Sequence, residues 1–234
     1  MIERIGYRIF SQFPECCCVS RWIPERDAPG EGKQGEEIFR VSEMIEVMTE
    51  SQPAVLARQV QSSIVKNVIS AGVADKCDGL VTSTGNLNLV IRTADCAAVM
   101  IYDPVLEIAV NLHVGWRGVY SAIIGKALDK LTTDYNSRPQ DCIVAVSPAI
   151  GSCCYQVGPE FRNYFDAAFL TERNGMLYFD LKGMINTQLI AAGVPPDKIE
   201  ISAHCTRCSS LQLPSYRRNF TRNRIWNIIK IKGE

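Results

Sequence analysis

The chain has 234 residues, with 25 Lys plus Arg against 25 Asp plus Glu, and 47% of it is apolar against 21% charged. That composition belongs to a globular protein and excludes a disordered one. Zero formal net charge excludes a broad surface for nucleic acid or an anionic membrane, because both are bound mainly by neutralising phosphate, and leaves room only for a small basic site.

No apolar run approaches the roughly 18 residues that suggest a membrane-crossing helix. Glu3, Arg4 and Arg8 interrupt the apolar residues at the N-terminus, so it lacks the core of a signal peptide. A cytoplasmic protein is expected, folded as one unit over residues 1–234 and with no oligomeric state specified. In a reducing compartment its ten cysteines are expected to be mostly free thiols.

Taken in chain order, Pro24, Pro29, Gly30, Gly32 and Gly35 mark residues 24–35 as a mobile loop. Ile38, Val41, Ile45 and Met48 recur at helical spacing with Pro53 beyond them, which predicts an amphipathic helix. Residues 55–60, 87–91, 98–102, 107–112 and 143–146 have strand composition. Val119, Ile123, Ala127 and Leu131 predict one helix face, and Phe161, Tyr164, Phe165 and Ala168 after Pro159 predict another. Leu181, Met184, Ile185, Leu189 and Ala192 predict a third, with Asp180 as N-cap and Gly193 as its stop. The class is mixed α/β.

The most informative stretch is 94–118, which reads as strand, turn, strand, glycine-rich turn and helix start. Asp103 and Pro104 supply turn chemistry. If Tyr102 pairs with Glu107, Cys96 falls opposite His113, and cross-strand neighbours have Cβ atoms about 4.5 to 5.5 Å apart on one face. Val99, Ile101, Ile108, Val110 and Leu112 then share one face, while Cys96, Ala98, Asn111 and His113 share the other; a slip by one residue would reverse them. A thiol beside an imidazole suits a metal or catalytic site, and equally a buried thiol packed against a hydrogen-bonded core histidine.

His113 opens the run His113-Val114-Gly115-Trp116-Arg117-Gly118, whose glycines permit a tight turn and close backbone approach. Arg117 offers a guanidinium fork for phosphate or carboxylate, and Trp116 an apolar wall; a strand-to-helix turn with a surface arginine is the plainer alternative. Cys205 and Cys208 form a CxxC, but no second CxxC or histidine pair stands at zinc-ribbon spacing and Cys153 is adjacent to Cys154, so no structural zinc site is expected. The triplet Cys16, Cys17 and Cys18 has no histidine near it in sequence. Arg217, Arg218, Arg222 and Arg224 read as a solvated face or, more sharply, an anion-binding edge.

The segments Thr93-Ala94-Asp95-Cys96, His113-Val114-Gly115-Trp116-Arg117-Gly118 and 148–158, followed by Cys205-Thr206-Arg207-Cys208 and Ser215-Tyr216-Arg217-Arg218, resemble the laccase-domain or multicopper polyphenol oxidase family in order and spacing. The resemblance covers residues from about Val55 to the C-terminus. It implies a four-layer α/β/β/α sandwich with mixed β-sheets and a mononuclear zinc site, with copper less expected. It also implies phosphorolysis of adenosine, inosine, guanosine or methylthioadenosine, with adenosine deamination; some members are described as polyphenol oxidases or peptidoglycan editing factors.

By the same resemblance Cys96 and His113 are zinc ligands, and Gln61 stands where the family has a third ligand, a histidine. An amide oxygen is a poor zinc donor, so weakened or lost zinc binding is expected. Cys96, His113 and Arg117 are the expected catalytic residues, and Arg40, Gln59 and Asp95 the expected substrate contacts, with Arg40 and Arg117 on phosphate. The expected partners are a small-molecule nucleoside and phosphate. Two alternatives stand beside this: a metal-independent hydrolase in which His113 activates the Cys96 thiolate, and a non-catalytic relative that has lost a zinc ligand.

Overall fold

The computed structural model describes residues 3–6, 16–22, 49 and 52–233. In chain order its strands are β1 (Glu3–Gly6), β2 (Cys16–Trp22), β3 (Ala54–Ala57), β4 (Val65–Asn67), β5 (Gly72–Ala74), β6 (Gly79–Thr82), β7 (Asn88–Thr93), β8 (Ala97–Asp103), β9 (Ile108–Val114), β10 (Ile143–Val146), β11 (Gln156–Val157), β12 (Leu170–Arg173), β13 (Met176–Phe179), β14 (Ile199–Ile201) and β15 (Ile225–Ile231). The helices are α1 (Trp116–Tyr120), α2 (Ile123–Tyr135), α3 (Leu181–Ala191) and the single turn α4 (Tyr216–Asn219). One six-stranded sheet runs β1, β2, β15, β7, β3, β5; a second runs β14, β10, β8, β9, β6, β4; β11, β13 and β12 form a small third sheet. Both large sheets mix parallel and antiparallel pairs.

The layers follow from which faces are apolar. Every residue of β8 and β9 is buried, as in strands covered on both sides, so these segments read as continuous apolar runs. Val99, Ile101, Val110, Leu112 and Val114 pack under Val119, Ile123, Leu128, Leu181 and Ile185 of α1 to α3. On the opposite face Ala98, Met100, Tyr102 and Ala109 meet Leu89, Ile91 and Ile229 of the first sheet. The outer face of that sheet carries a further apolar cluster of Val19, Leu56, Val90, Trp226 and Ile228. The described residues therefore supply helix, sheet and sheet in a mixed α/β fold; the loop expected over 24–35 and the helix expected over 38–48 lie outside them.

Three expectations are corrected. The hairpin pairs Tyr102 with Ala109 and Ala98 with His113, two residues away from the register expected. The cause is the turn: Asp103 pairs with Ile108 and its Oδ1 accepts from the amides of Val105 and Leu106, while Glu107 takes a left-handed φ of 52°. A slip of two preserves the faces, so the apolar and polar sets stay as expected. The helix expected across 119–131 is broken at Ala122, with φ of 55°, into α1 and α2.

No α-helix forms around Phe161. Two 3-10 turns, Pro159–Asn163 and Ala167–Phe169, stand there, separated by Asp166, whose side chain accepts from the Ala168 amide. Phe161 and Phe165 are buried against Phe179, with the Phe165 and Phe179 rings 4.4 Å apart, so aromatic packing rather than helical hydrogen bonding orders the segment. The third helix matches its expected ends: Asp180 accepts from the Gly183 amide, and Gly193 ends the helix at φ of 96°.

Candidate functional site

The site is built where β9 runs out into α1. The His113 amide donates to the Asp78 carbonyl at 2.7 Å, and its ring Nδ1 lies 2.7 Å from Asp78 Oδ1. Asp78, immediately before β6, is fully buried. Its Oδ2 accepts from the amides of Val60 and Ser62 and from Ser62 Oγ, and its Oδ1 from the Gln61 amide at 3.0 Å. Residues 60–62 thus wrap one carboxylate, a turn that places Gln61 in the left-handed region with φ of 59°.

The charges follow from those contacts. Burial alone would raise the Asp78 pKa, but the His113 hydrogen bond and the Ser62 donors outweigh it and lower it to about 2. Burial likewise opposes a charged His113, yet the hydrogen bonds to Asp78 and Cys96 raise it to about 9. Both shifts run in the direction that favours an imidazolium on a carboxylate.

The Cys96 thiol sits beside this imidazole, reached diagonally across the hairpin. A Cβ at Gly115 would lie 2.7 Å from Cys96 Sγ, so glycine leaves the sulfur its place there and a larger residue would displace it. Arg117 stands exposed at the rim, its guanidinium 4.4 Å from the Trp116 ring, and its Nη1 donates to Gln61 Oε1. Trp116 packs in turn on Phe161 and Tyr164. The segments around Cys96, His113, Arg117 and Gln61 are therefore brought together, as expected.

This donor set fits a catalytic zinc only in part. The thiol and the imidazole are suitable, and an imidazole oriented by a carboxylate is the usual outer arrangement. The third position is not: the Gln61 oxygen is engaged by Arg117. No step is therefore assigned to a metal held there. Among the described residues, the possible donors that gather in a group are instead Cys153, Cys154, Cys205 and Cys208, all sulfur atoms lying within 4.8 Å of one another. Their spacing along the chain carries no sign of this gathering, because the two turns that hold them are far apart in sequence.

The expected substrate contacts fare differently. Arg40 lies outside the described residues. Both ends of the Gln59 amide are engaged by the backbone of Arg92, its Nε2 donating to the carbonyl and its Oε1 accepting from the amide. Asp95 is buried with φ of 80°, and its carboxylate accepts from Thr206 Oγ1, Ser215 Oγ and the Arg217 amide. The polar atoms of both side chains are thus engaged within the protein. Of the C-terminal arginines, Arg217 donates to the Gln156 carbonyl, Arg218 to those of Thr206 and Leu213, and Arg224 to those of Thr221 and Asn223, so backbone oxygens position these guanidinium groups.

Sequence reasoning missed Asp78. The one signal for it is a carboxylate opening a strand that is buried throughout, a place where an unpaired charge is not tolerated. No helix among the described residues is long and apolar enough to cross a membrane.

The chain is similar to several known proteins. The family described as multi-copper polyphenol oxidoreductase laccase matches residues 33–232. A purine nucleoside phosphorylase of Aquifex aeolicus is 36% identical over 154 residues, 66% of this chain and 70% of that protein. The purine nucleoside phosphorylase YlmD of Geobacillus stearothermophilus is 33% identical over 61% of this chain, which spans 55% of its length, and an adenosine deaminase named RL5, from an unknown prokaryotic organism, is 30% identical over 60%, spanning 56% of its length. The structure of YfiH from Bacillus licheniformis superposes with a TM-score of 0.84 at 26% identity, covering 98% of this chain and 96% of that one.

Proposed function

Because this chain belongs to the multi-copper polyphenol oxidoreductase laccase family, with relatives named for purine nucleoside chemistry, we propose that it is an enzyme of purine nucleosides and that its reaction is phosphorolysis. The observation that carries the reading is a buried, carboxylate-held imidazole with an exposed guanidinium at the same site: Asp78, His113 and Arg117. Phosphorolysis needs both: a cation to place phosphate, and an acid for the leaving base.

In this reading Arg117 grips phosphate through its planar fork, with Gln61 holding the guanidinium at the rim. A phosphate oxygen forms the new bond to the ribose C1′, the glycosidic bond breaks, and its electron pair leaves on the purine. His113 gives its proton to the purine and recovers one from solvent. Asp78 keeps the ring charged and fixed without touching substrate, and positioned general acids of this kind contribute typically 10² to 10⁴ in rate. Release of purine base with ribose 1-phosphate from adenosine or inosine, dependent on phosphate, tests the reading. Arg117→Ala should raise the KM for phosphate, and His113→Gln should lower kcat. Inosine formed from adenosine without phosphate would assign deamination instead, and no turnover of either nucleoside would overturn the reading.

A further inference from the structure

Four cysteines that this reaction does not use converge on one point. Cys153 and Cys154 lie in the turn after β10, and Cys205 and Cys208 in the turn after β14. Their sulfur atoms all lie within 4.8 Å of one another, and Cys153 and Cys208 are 3.7 Å apart. Four sulfurs placed tetrahedrally at the usual zinc–sulfur distance of about 2.3 Å stand about 3.8 Å from one another.

Backbone donors gather on one of these sulfurs. Cys205 Sγ accepts from the Gly151 amide at 3.3 Å and also from the amides of Arg207 and Cys208. Backbone donors turned onto a sulfur are what a thiolate on a metal requires, and a neutral thiol gains little from several of them. A Cβ at Gly151 would stand 3.2 Å from Cys153 Sγ and 3.5 Å from Cys205 Cβ, so glycine leaves room for the cluster. Lys182 is held nearby, donating to the carbonyls of Ser202 and His204, and its charge interacts with Cys205, Cys153 and Cys208. A zinc ion with four thiolates carries two net negative charges, and this ammonium offsets part of them.

We propose that Cys153, Cys154, Cys205 and Cys208 bind one zinc ion as a closed tetrathiolate site. Tetrahedral sulfur-only coordination selects zinc or iron, and four protein donors leave no open position for substrate, so the role is structural. The ion clips the two turns together, reinforcing the bridge between Ala149 and Cys205 and the bond from the Thr206 amide to the Ala149 carbonyl. Thr206 Oγ1 in turn donates to Asp95 at 2.6 Å, so the clip braces the residue preceding Cys96. Nothing in this proposal depends on the nucleoside reading.

The test uses the full chain, purified under reducing conditions without an affinity tag, in a Cys96→Ser background that removes the thiol of the other site. Native mass spectrometry and elemental analysis should find one zinc per chain. Replacement by cobalt should give intense thiolate charge-transfer bands with the visible bands of a tetrahedral ion. Adding Cys205→Ser and Cys208→Ser should abolish the metal and the spectrum together. Retention of zinc in that variant overturns the proposal, as does iron in place of zinc, the absence of metal, or a Cys153–Cys208 disulfide in protein whose thiols were blocked at lysis. If the multiple variant fails to fold, the cobalt spectrum of the Cys96→Ser protein decides alone, because only several thiolates give those charge-transfer intensities.

Discussion

Gln61→His is the most informative perturbation of the site. The backbone of residue 61 is held by the Asp78 carboxylate, as are the amides on either side, so the loop does not depend on the Gln61 side chain for its shape. Histidine is also among the residues enriched in the left-handed region that position 61 occupies, so little new strain arises. The change frees Arg117 from its amide partner and adds an imidazole to the Cys96 and His113 pair. Losing an outer-shell partner typically costs 10- to 100-fold in metal affinity, and a gained ligand is worth at least that, or about 1.4 to 2.7 kcal/mol. The assay is competition with a chelating dye, scored as the zinc whose binding is lost on Cys96→Ser, which separates it from zinc held by the four cysteines. Gln61→His should bind that zinc at least tenfold tighter than the natural chain. Equal affinity in the two proteins would refute the reasoning that a missing third donor limits this site.

Asp78→Asn removes the charge paired with His113 and turns one of the two acceptor oxygens into an NH2 group facing other donors, and breaking a buried pair of this kind costs about 3–5 kcal/mol, read from urea unfolding. Gly115→Ala should push Cys96 off His113, because its Cβ would stand 2.7 Å from the sulfur; the His113 pKa, followed by NMR in metal-free protein, should fall towards its ordinary 6.5. In metal-free protein the raised His113 pKa contributes stability that is full below 6.5 and lost as pH rises through about 9, while the lowered Asp78 pKa contributes stability present above 3.8 and lost as pH falls through about 2. The urea midpoint should therefore decline from pH 6.5 to 9, and His113→Gln should flatten that decline; an unchanged slope in the variant would count against the pair.

The meeting of Cys96 and His113 was legible because it depends on parity more than on register. The turn at Asp103 shifted the pairing by two residues, yet a shift of two returns every side chain to the same face, and diagonal neighbours stay within reach. The helix over Leu181–Ala191 was legible for a similar reason, since both its cap and its stop are local. The segment around Phe161 was not: its apolar spacing fits a helix, but its side chains are ordered by rings that arrive from β13. Asp78 and the four-cysteine cluster escaped for one shared reason. Each joins segments that are separate in the sequence, and neither periodicity nor motif spacing encodes a contact set by where strands end.

Asp95 shows what adjacency to a reactive residue does and does not imply. Standing next to Cys96, it invited a role in substrate binding, but both of its oxygens accept hydrogen bonds from the loops at 206, 215 and 217, and its carbonyl accepts from the Ile150 amide. The left-handed backbone at Asp95 turns the chain so that the carboxylate points into those loops while the next side chain points at His113. Cys96 is thus placed from two directions, by the Asp95 bracket behind it and by the missing side chain at Gly115 in front. The bracket draws on Thr206, inside the cysteine turn, so the clip proposed for that turn is one hydrogen bond away from the residue that precedes Cys96.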